Sequence, residues 1–353
     1  MENISISKQL FRKLVNQLEP LIVDLHAIET DKWCGLFQKG GKRFAYILVH
    51  KIKPKIDIWC LGDVISITEK YQTKIKFKER DGTKGSFGKN FQINFTVEND
   101  TDIENAVFLL YEISNSWTNN ELTAAFNLFC KIPLDEINSK NILIVNFANL
   151  IGKSEKEIAK RLRNFEKLGI NKDIENIEID DKNIWNNFNN DWEKYAIESE
   201  NKILELEYIF NQNKDFPKGK ERESIVKMRV NQNFFRNAVL TSYQNKCCIT
   251  NLPIIELLNA SHIMPWASDE KNRLNPHNGL CLNSLHDRAF DRGLLTVTPN
   301  YKIKISKYIY DFINIEIVKE YFIFYENKNI NLPNRFKPNK DFLEYHNNNI
   351  FKG

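Results

Sequence analysis

The stretch from Cys247 to Val297 constrains this chain more than any other, because it sets three polar residues in fixed order inside a short apolar frame. It reads CCITNLPIIELLNASHIMPWASDEKNRLNPHNGLCLNSLHDRAFDRGLLTV. His262 follows Ser261 and precedes Ile-Met-Pro. Asn278 sits in an Asn-Gly-Leu turn ahead of an apolar run. His286 opens a short helix, His286 to Asp291, closed by Gly293. One histidine in such a setting reads as a hydrogen-bonded structural residue. Three such residues in order, on strand, turn and helix signals, read as a site.

The runs Ser261-His262-Ile263-Met264-Pro265-Trp266, Asn278-Gly279-Leu280 and His286-Asp287, with Phe290, Asp291 and Gly293, carry a resemblance. Together they resemble the HNH endonuclease family, in a restriction-type subgroup. The motif spans about one seventh of the chain, and weaker similarity reaches upstream to about Trp117. The resemblance implies a two-stranded hairpin followed by a helix, gripping one divalent ion, Mg²⁺ or Mn²⁺, against a scissile phosphate. It makes His262 the general base and His286 a metal ligand. Asn278 either fixes the loop between them or adds an oxygen ligand.

That chemistry needs those residue types. A neutral imidazole, with an ordinary pKa near ~6.5, takes a proton from water at neutral pH. A divalent ion on the far side neutralises the leaving 3′ oxygen as a Lewis acid.

Two positions depart from the wider family. Many relatives carry an Asp ligand where this chain has Ser261. A serine hydroxyl is a poor metal ligand alone, so a water, Asn278 or Asp287 completes the shell. Many relatives also carry two CxxC pairs around zinc. Here Cys248 has Asn251 at the partner position and Cys281 has Ser284, so no structural zinc is expected. Cys247, Cys248 and Cys281 then read as small buried apolar residues. Packing must hold the fold, with Trp266, Leu280, Leu282, Phe290 and Leu294 as its expected core. Asp287 and Asp291 read as ligands or as partners of the helix dipole, and the dipole role is assigned to Asp291.

The chain has 353 residues, 42% of them hydrophobic, enough for two or three domains with real cores. Its net charge of only +4 means that any nucleic-acid affinity comes from local basic faces. Six irregularly spaced cysteines point to a reducing compartment, here the cytoplasm. No run of ~18 apolar residues predicts a membrane span.

Residues 1–115 read as an α+β domain. A helix through Leu10, Leu14 and Leu18 precedes strands at 33–37, 44–49, 56–61, 74–77 and 91–97. A closing helix, 102–113, is capped by Thr101. Trp33, Trp59 and Tyr71, beside Lys51, Lys53 and Lys55, read either as a surface for a modified base or as sheet core. Target selection is the preferred role for this domain.

Residues 116–216 read as helical and are similar to the helix-turn-helix found ahead of the nuclease in this subgroup. The helix from Ser154 turns Ile158, Leu162 and Phe165 inward. Lys156, Lys160, Arg161, Arg163 and Lys167 fall on its other face, with Lys156, Lys160 and Arg163 as DNA contacts. A solvated basic face on a plain bundle is the competing reading. Residues 211–220 read as a linker.

Residues 217–353 read as the nuclease domain, core 247–297, led in by Arg229, Gln232 and Arg236 as DNA contacts; Arg229 and Arg236 either clamp the phosphates flanking the cut or pair with Glu221 or Glu223. The tail beyond Val297 reads as β-rich and of little catalytic content.

The expected protein is thus multidomain α+β: an α+β recognition domain, a helix-turn-helix-like segment and a ββα-metal nuclease. Its expected partner is double-stranded DNA, and two-strand cleavage requires a homodimer. A homing-type nuclease and a DNA-binding regulator with a decayed core are the alternatives.

Overall fold

The computed structural model describes residues 6–22, 25–30, 32–38, 42–60, 64–78, 93–210, 223–225, 230 and 234–353. The chain divides into two compact units. One is Met1–Thr118 with Asn146–Ser154 and Leu206–Asn213; the other is Asn119–Val145 with Glu155–Glu205 and Lys214–Gly353. Arg229, Gln232 and the linker expected at 211–220 lie outside the described residues.

The first unit is built on a five-stranded antiparallel sheet in sequential order. Its strands are β1 (His26–Ile28), β2 (Trp33–Gln38), β3 (Lys42–Val49), β4 (Ile56–Cys60) and β5 (Ile93–Val97). Helix α1 (Ile6–Leu18) buries Leu10, Leu14 and Leu18, one face at a spacing of four. Helix α2 spans Val64–Tyr71, and α3 spans Asp100–Asn115. Leu36, Ile47, Ile58, Val97, Ile103 and Leu110 share the core with α1.

Several expectations change here. Residues 74–77 make only an isolated bridge, Phe77 to Phe95, rather than a strand. The α3 cap is Asn99, whose side chain accepts from Asp102 N, rather than Thr101. Tyr71 is buried and its hydroxyl donates to Glu112, which removes it from the exposed aromatic set. Trp33 and Trp59 remain half-buried, ring centroids 5.4 Å apart.

Helices α4 (Asn119–Lys131), α5 (Ile142–Ile151), α6 (Glu155–Gly169), α7 (Ile179–Asn190) and α8 (Trp192–Phe210) follow. In the second unit α4, α6 and α7 close around Phe126, which stacks on Phe188 at 4.1 Å and meets Phe165 edge-on at 5.1 Å. Helix α6 buries Ile158, Leu162 and Phe165, the positions its periodicity assigns inward. Arg161 goes inward too. Its guanidinium bonds Asp181 and Glu178, so it belongs to the packing and not to a basic face.

Helix α9 (Phe235–Ser242) packs on α4 and on the hairpin β6 (Leu258–His262)–β7 (Gly279–Asn283). The hairpin register sets Ser261 opposite Leu280 and His262 opposite Gly279. Helix α10 (Ser284–Asp291) begins directly after β7. Asn283 caps it by accepting from Leu285 N and His286 N. Gly293 ends it at φ +70°, where a Cβ would meet Ile350 O at 2.0 Å.

The tail is mostly helical rather than β-rich. A short hairpin, β8 (Leu295–Val297) and β9 (Ile303–Ile305), leads to helices α11 (Lys307–Tyr310), α12 (Glu316–Tyr321) and α13 (Lys340–Asn349). Helix α13 returns against the hairpin and α10: His346 stacks on Phe290 at 3.7 Å. No helix among the described residues is long and apolar enough to cross a membrane.

Candidate active site

A cleft of about 490 Å³ opens between the end of β6, helix α10 and the start of the tail after α13. His262, Ser261, Trp266, Asp287, Asp291 and Arg292 line it.

His262 is the last residue of β6. Its Nε2 lies 2.9 Å from Arg273 O. A carbonyl only accepts, so Nε2 carries the proton and Nδ1 keeps its lone pair. The imidazole stacks on Phe235 at 3.9 Å and meets Trp266 edge-on at 5.5 Å. Burial between these rings lowers its pKa from the ordinary 6.5, against the opposing pull of the Arg273 carbonyl. The ring is therefore neutral at neutral pH and fixed in one tautomer.

Gly279 explains how Phe235 reaches it. A Cβ on Gly279 would fall 2.3 Å from Val239 Cγ2 and 3.1 Å from Phe235 Cζ. The Asn-Gly of the motif thus opens a slot, opposite His262 in the hairpin, that α9 fills.

Helix α10 supplies the negative charge. Asp287 and Asp291 are four residues apart, one turn above the other on the face lining the cleft. Asp287 accepts from the Ser261 hydroxyl and, at 2.8 Å, from Asn259 Nδ2. Asp291 titrates above the usual carboxylate value. Desolvation in the cleft is the larger cause and the Asp287 carboxylate the next, against Arg288 and Arg292. A like-charge pair at this spacing weakens a helix by about 0.2–0.5 kcal/mol. A local conflict of that kind marks a functional position more often than a structural one.

The other site candidates lie elsewhere. His286 is fully buried: Nε2 donates to Tyr321 O at 2.6 Å, and Nδ1 accepts from Asn283 Nδ2 at 3.0 Å. Both nitrogens are engaged and the ring packs on Phe322 and Tyr325, so its geometry does not suit a metal ligand. Asn278 is also buried, with Oδ1 accepting from Met264 N and Nδ2 donating to Met264 O and Asn272 O. Of its two expected roles, this geometry serves the loop. Ser261 is buried and gives its proton to Asp287, so it orients a carboxylate.

Arg236 donates to Leu258 O at 2.7 Å and Ile255 O at 3.2 Å, tying α9 to the hairpin instead of facing a phosphate. Arg163 is held by Glu166 and Ile137 O, while Lys156 and Lys160 are exposed on α6. Trp266 is 42% exposed at the cleft mouth rather than in the core, whereas Leu280, Leu282 and Phe290 are fully buried and Leu294 half-buried.

A neutral imidazole and a carboxylate pair thus share one cleft. Residues 247–298 match the HNH endonuclease family model. No curated protein matches the chain. The HNH match supports a nuclease hydrolase, and HNH nucleases generally use divalent metal ions. Among the described residues no group of three or more His, Cys, Asp or Glu could hold a metal. The cleft offers two carboxylates, Asp287 and Asp291. Magnesium-like ions bind through one or two carboxylates, several waters and substrate phosphate oxygens. The oxygen donor set therefore fits a hard divalent ion completed by water and substrate. Asp291, assigned above to the helix dipole, ends α10 at the dipole's negative pole, where a carboxylate gains nothing, and it lines the cleft with Asp287.

Proposed function

We propose that this chain is a divalent-metal-dependent endonuclease of restriction type, hydrolysing phosphodiester bonds in double-stranded DNA. The observation that carries this reading is the joint placement of His262, Asp287 and Asp291 on one cleft inside the module that matches the HNH family. His262 Nδ1 takes the proton of the attacking water, since Nε2 is committed to Arg273 O. Attack at phosphorus breaks the P–O3′ bond. Asp287 and Asp291 would hold the ion, and the Ser261 hydroxyl and Asn259 Nδ2 fix the Asp287 carboxylate. A divalent ion held there, Mg²⁺ or Mn²⁺, would supply the positive charge that offsets the phosphate and the leaving oxygen.

Arg288 and Arg292, exposed beside the carboxylates, bind the phosphates next to the cut. Lys156 and Lys160 on α6 position the duplex through its backbone. The α+β unit selects the target, with the Trp33–Trp59 pair as a stacking surface for a base. The test is incubation of purified chain with supercoiled plasmid, with Mg²⁺ or Mn²⁺ and with chelator. Cutting only in the presence of the ion supports the reading. DNA binding without cutting at any divalent ion overturns it in favour of a regulator.

A further inference from the structure

Residues 307–325 turn apolar side chains toward water to a degree seen in no other segment of similar length in the described tail. Tyr308, Phe312, Ile315, Ile317, Tyr321 and Phe324 are each 40–60% exposed, while Ile309 and Phe322 anchor the lobe to the unit below. The seven residues Asp311–Ile317 are exposed in succession, so this is not the outer edge of a buried amphipathic stripe. Six such side chains at half exposure present roughly 500 Å² of apolar surface. That lies near the top of the range for the largest patch on a monomer, about 300–600 Å². With the charged residues between them, the lobe reaches the ~800 Å² that each partner gives to a standard interface.

The charges decide what covers it. The segment carries Lys307 and Lys319 with Asp311, Glu316 and Glu320, two cations and three anions. A polyanion such as DNA finds no net attraction here. A two-fold interface brings a patch against itself, and a patch of mixed sign can pair with its own copy. The lobe is also joined to the catalytic helix, because His286 of α10 donates to Tyr321 O. A surface so attached sets the spacing of two clefts.

We propose that residues 307–325 form a homodimer interface, in which the lobe of a second copy packs on this one and pairs two clefts across a duplex. The interface stands on the surface itself; its consequence for cutting rests on the nuclease reading. Sedimentation of the full chain at micromolar concentration tests the first part. The wild type should sediment as a dimer, and so should the control Ile142→Asp, which alters an exposed apolar residue of α5.

The double variant I315D/I317D changes two exposed positions and should keep the wild-type circular dichroism and melting temperature. Its dimer dissociation constant should rise at least about 100-fold, because four carboxylates would face one another across the axis. A wild type that stays monomeric overturns the interface in favour of a different partner protein, and a double variant that still dimerises overturns it in favour of another face. On plasmid, the wild type should yield linear product and the variant mainly nicked circles. A shift in mass with no cutting by either protein upholds the interface and overturns the nuclease reading alone.

Discussion

The ring of His262 lies flat on the ring of Phe235, centroids 3.9 Å apart and planes within 9°. Phe235 belongs to α9, outside the 247–298 stretch that matches the nuclease family. The His262 ring is therefore held by a helix that precedes the module, through the slot left by Gly279. Phe235→Leu keeps most of the apolar volume and should cost about 1–1.5 kcal/mol of stability. It removes a ring contact worth about 0.5–1.5 kcal/mol, so cleavage should fall roughly tenfold. Opening the ring to water should also move the acid limb of the pH–rate profile upward, toward the ordinary histidine value. DNA affinity should stay unchanged, which single-turnover cleavage beside a binding assay would show.

Asp291→Asn tests the metal role, since at the last residue of α10 the carboxylate opposes the helix dipole instead of serving it. If Asp291 holds the ion with Asp287, the substitution weakens Mn²⁺ binding, measured by calorimetry, by roughly 10–100-fold. Without metal it should raise stability by about 0.2–0.5 kcal/mol, because the like-charge pair is gone. Unchanged ion binding would take Asp291 out of the metal role.

Stability should fall in acid before the carboxylates protonate. His346 is buried against Phe290, and burial lowers its pKa from 6.5 to about 4, against the Phe290 carbonyl that it bonds. The unfolded chain takes up a proton near ~6.5 that the folded chain refuses until about 4. Stability is then full above ~6.5 and declines as pH falls to about 4, by about 3 kcal/mol for this residue. His262 and His277, also lowered by burial, add in the same direction. Urea unfolding across this window should show the decline, and His346→Gln should flatten it.

The hairpin and helix α10 were legible in the sequence because an apolar period and a turn mark each of them. Direction within the helix was not. The motif suggests a helix opening at His286, but the Asn283 cap starts it at Ser284. Successive helical residues point about 100° apart, so His286, Ala289 and Phe290 turn to the interior and Asp287 and Asp291 to the cleft. A motif preserves order and spacing along the chain, and those leave open which of two adjacent polar residues faces the substrate. Trp266 misleads for a related reason: large and apolar, it reads as core, yet it stands at the cleft mouth under the Arg273 guanidinium. The tail gave no catalytic signal, because His346 and Ile350 reach the cleft wall only through a return of the chain from about fifty residues away.

Cleavage by His262→Ala tests the central claim most directly. Supercoiled plasmid is mixed with the wild type or the variant in saturating Mn²⁺, with ion and DNA binding measured on the same preparations. The account predicts that the variant binds ion and DNA like the wild type while its cutting rate falls by about 10²–10⁴-fold. A variant that cuts at the wild-type rate would contradict it.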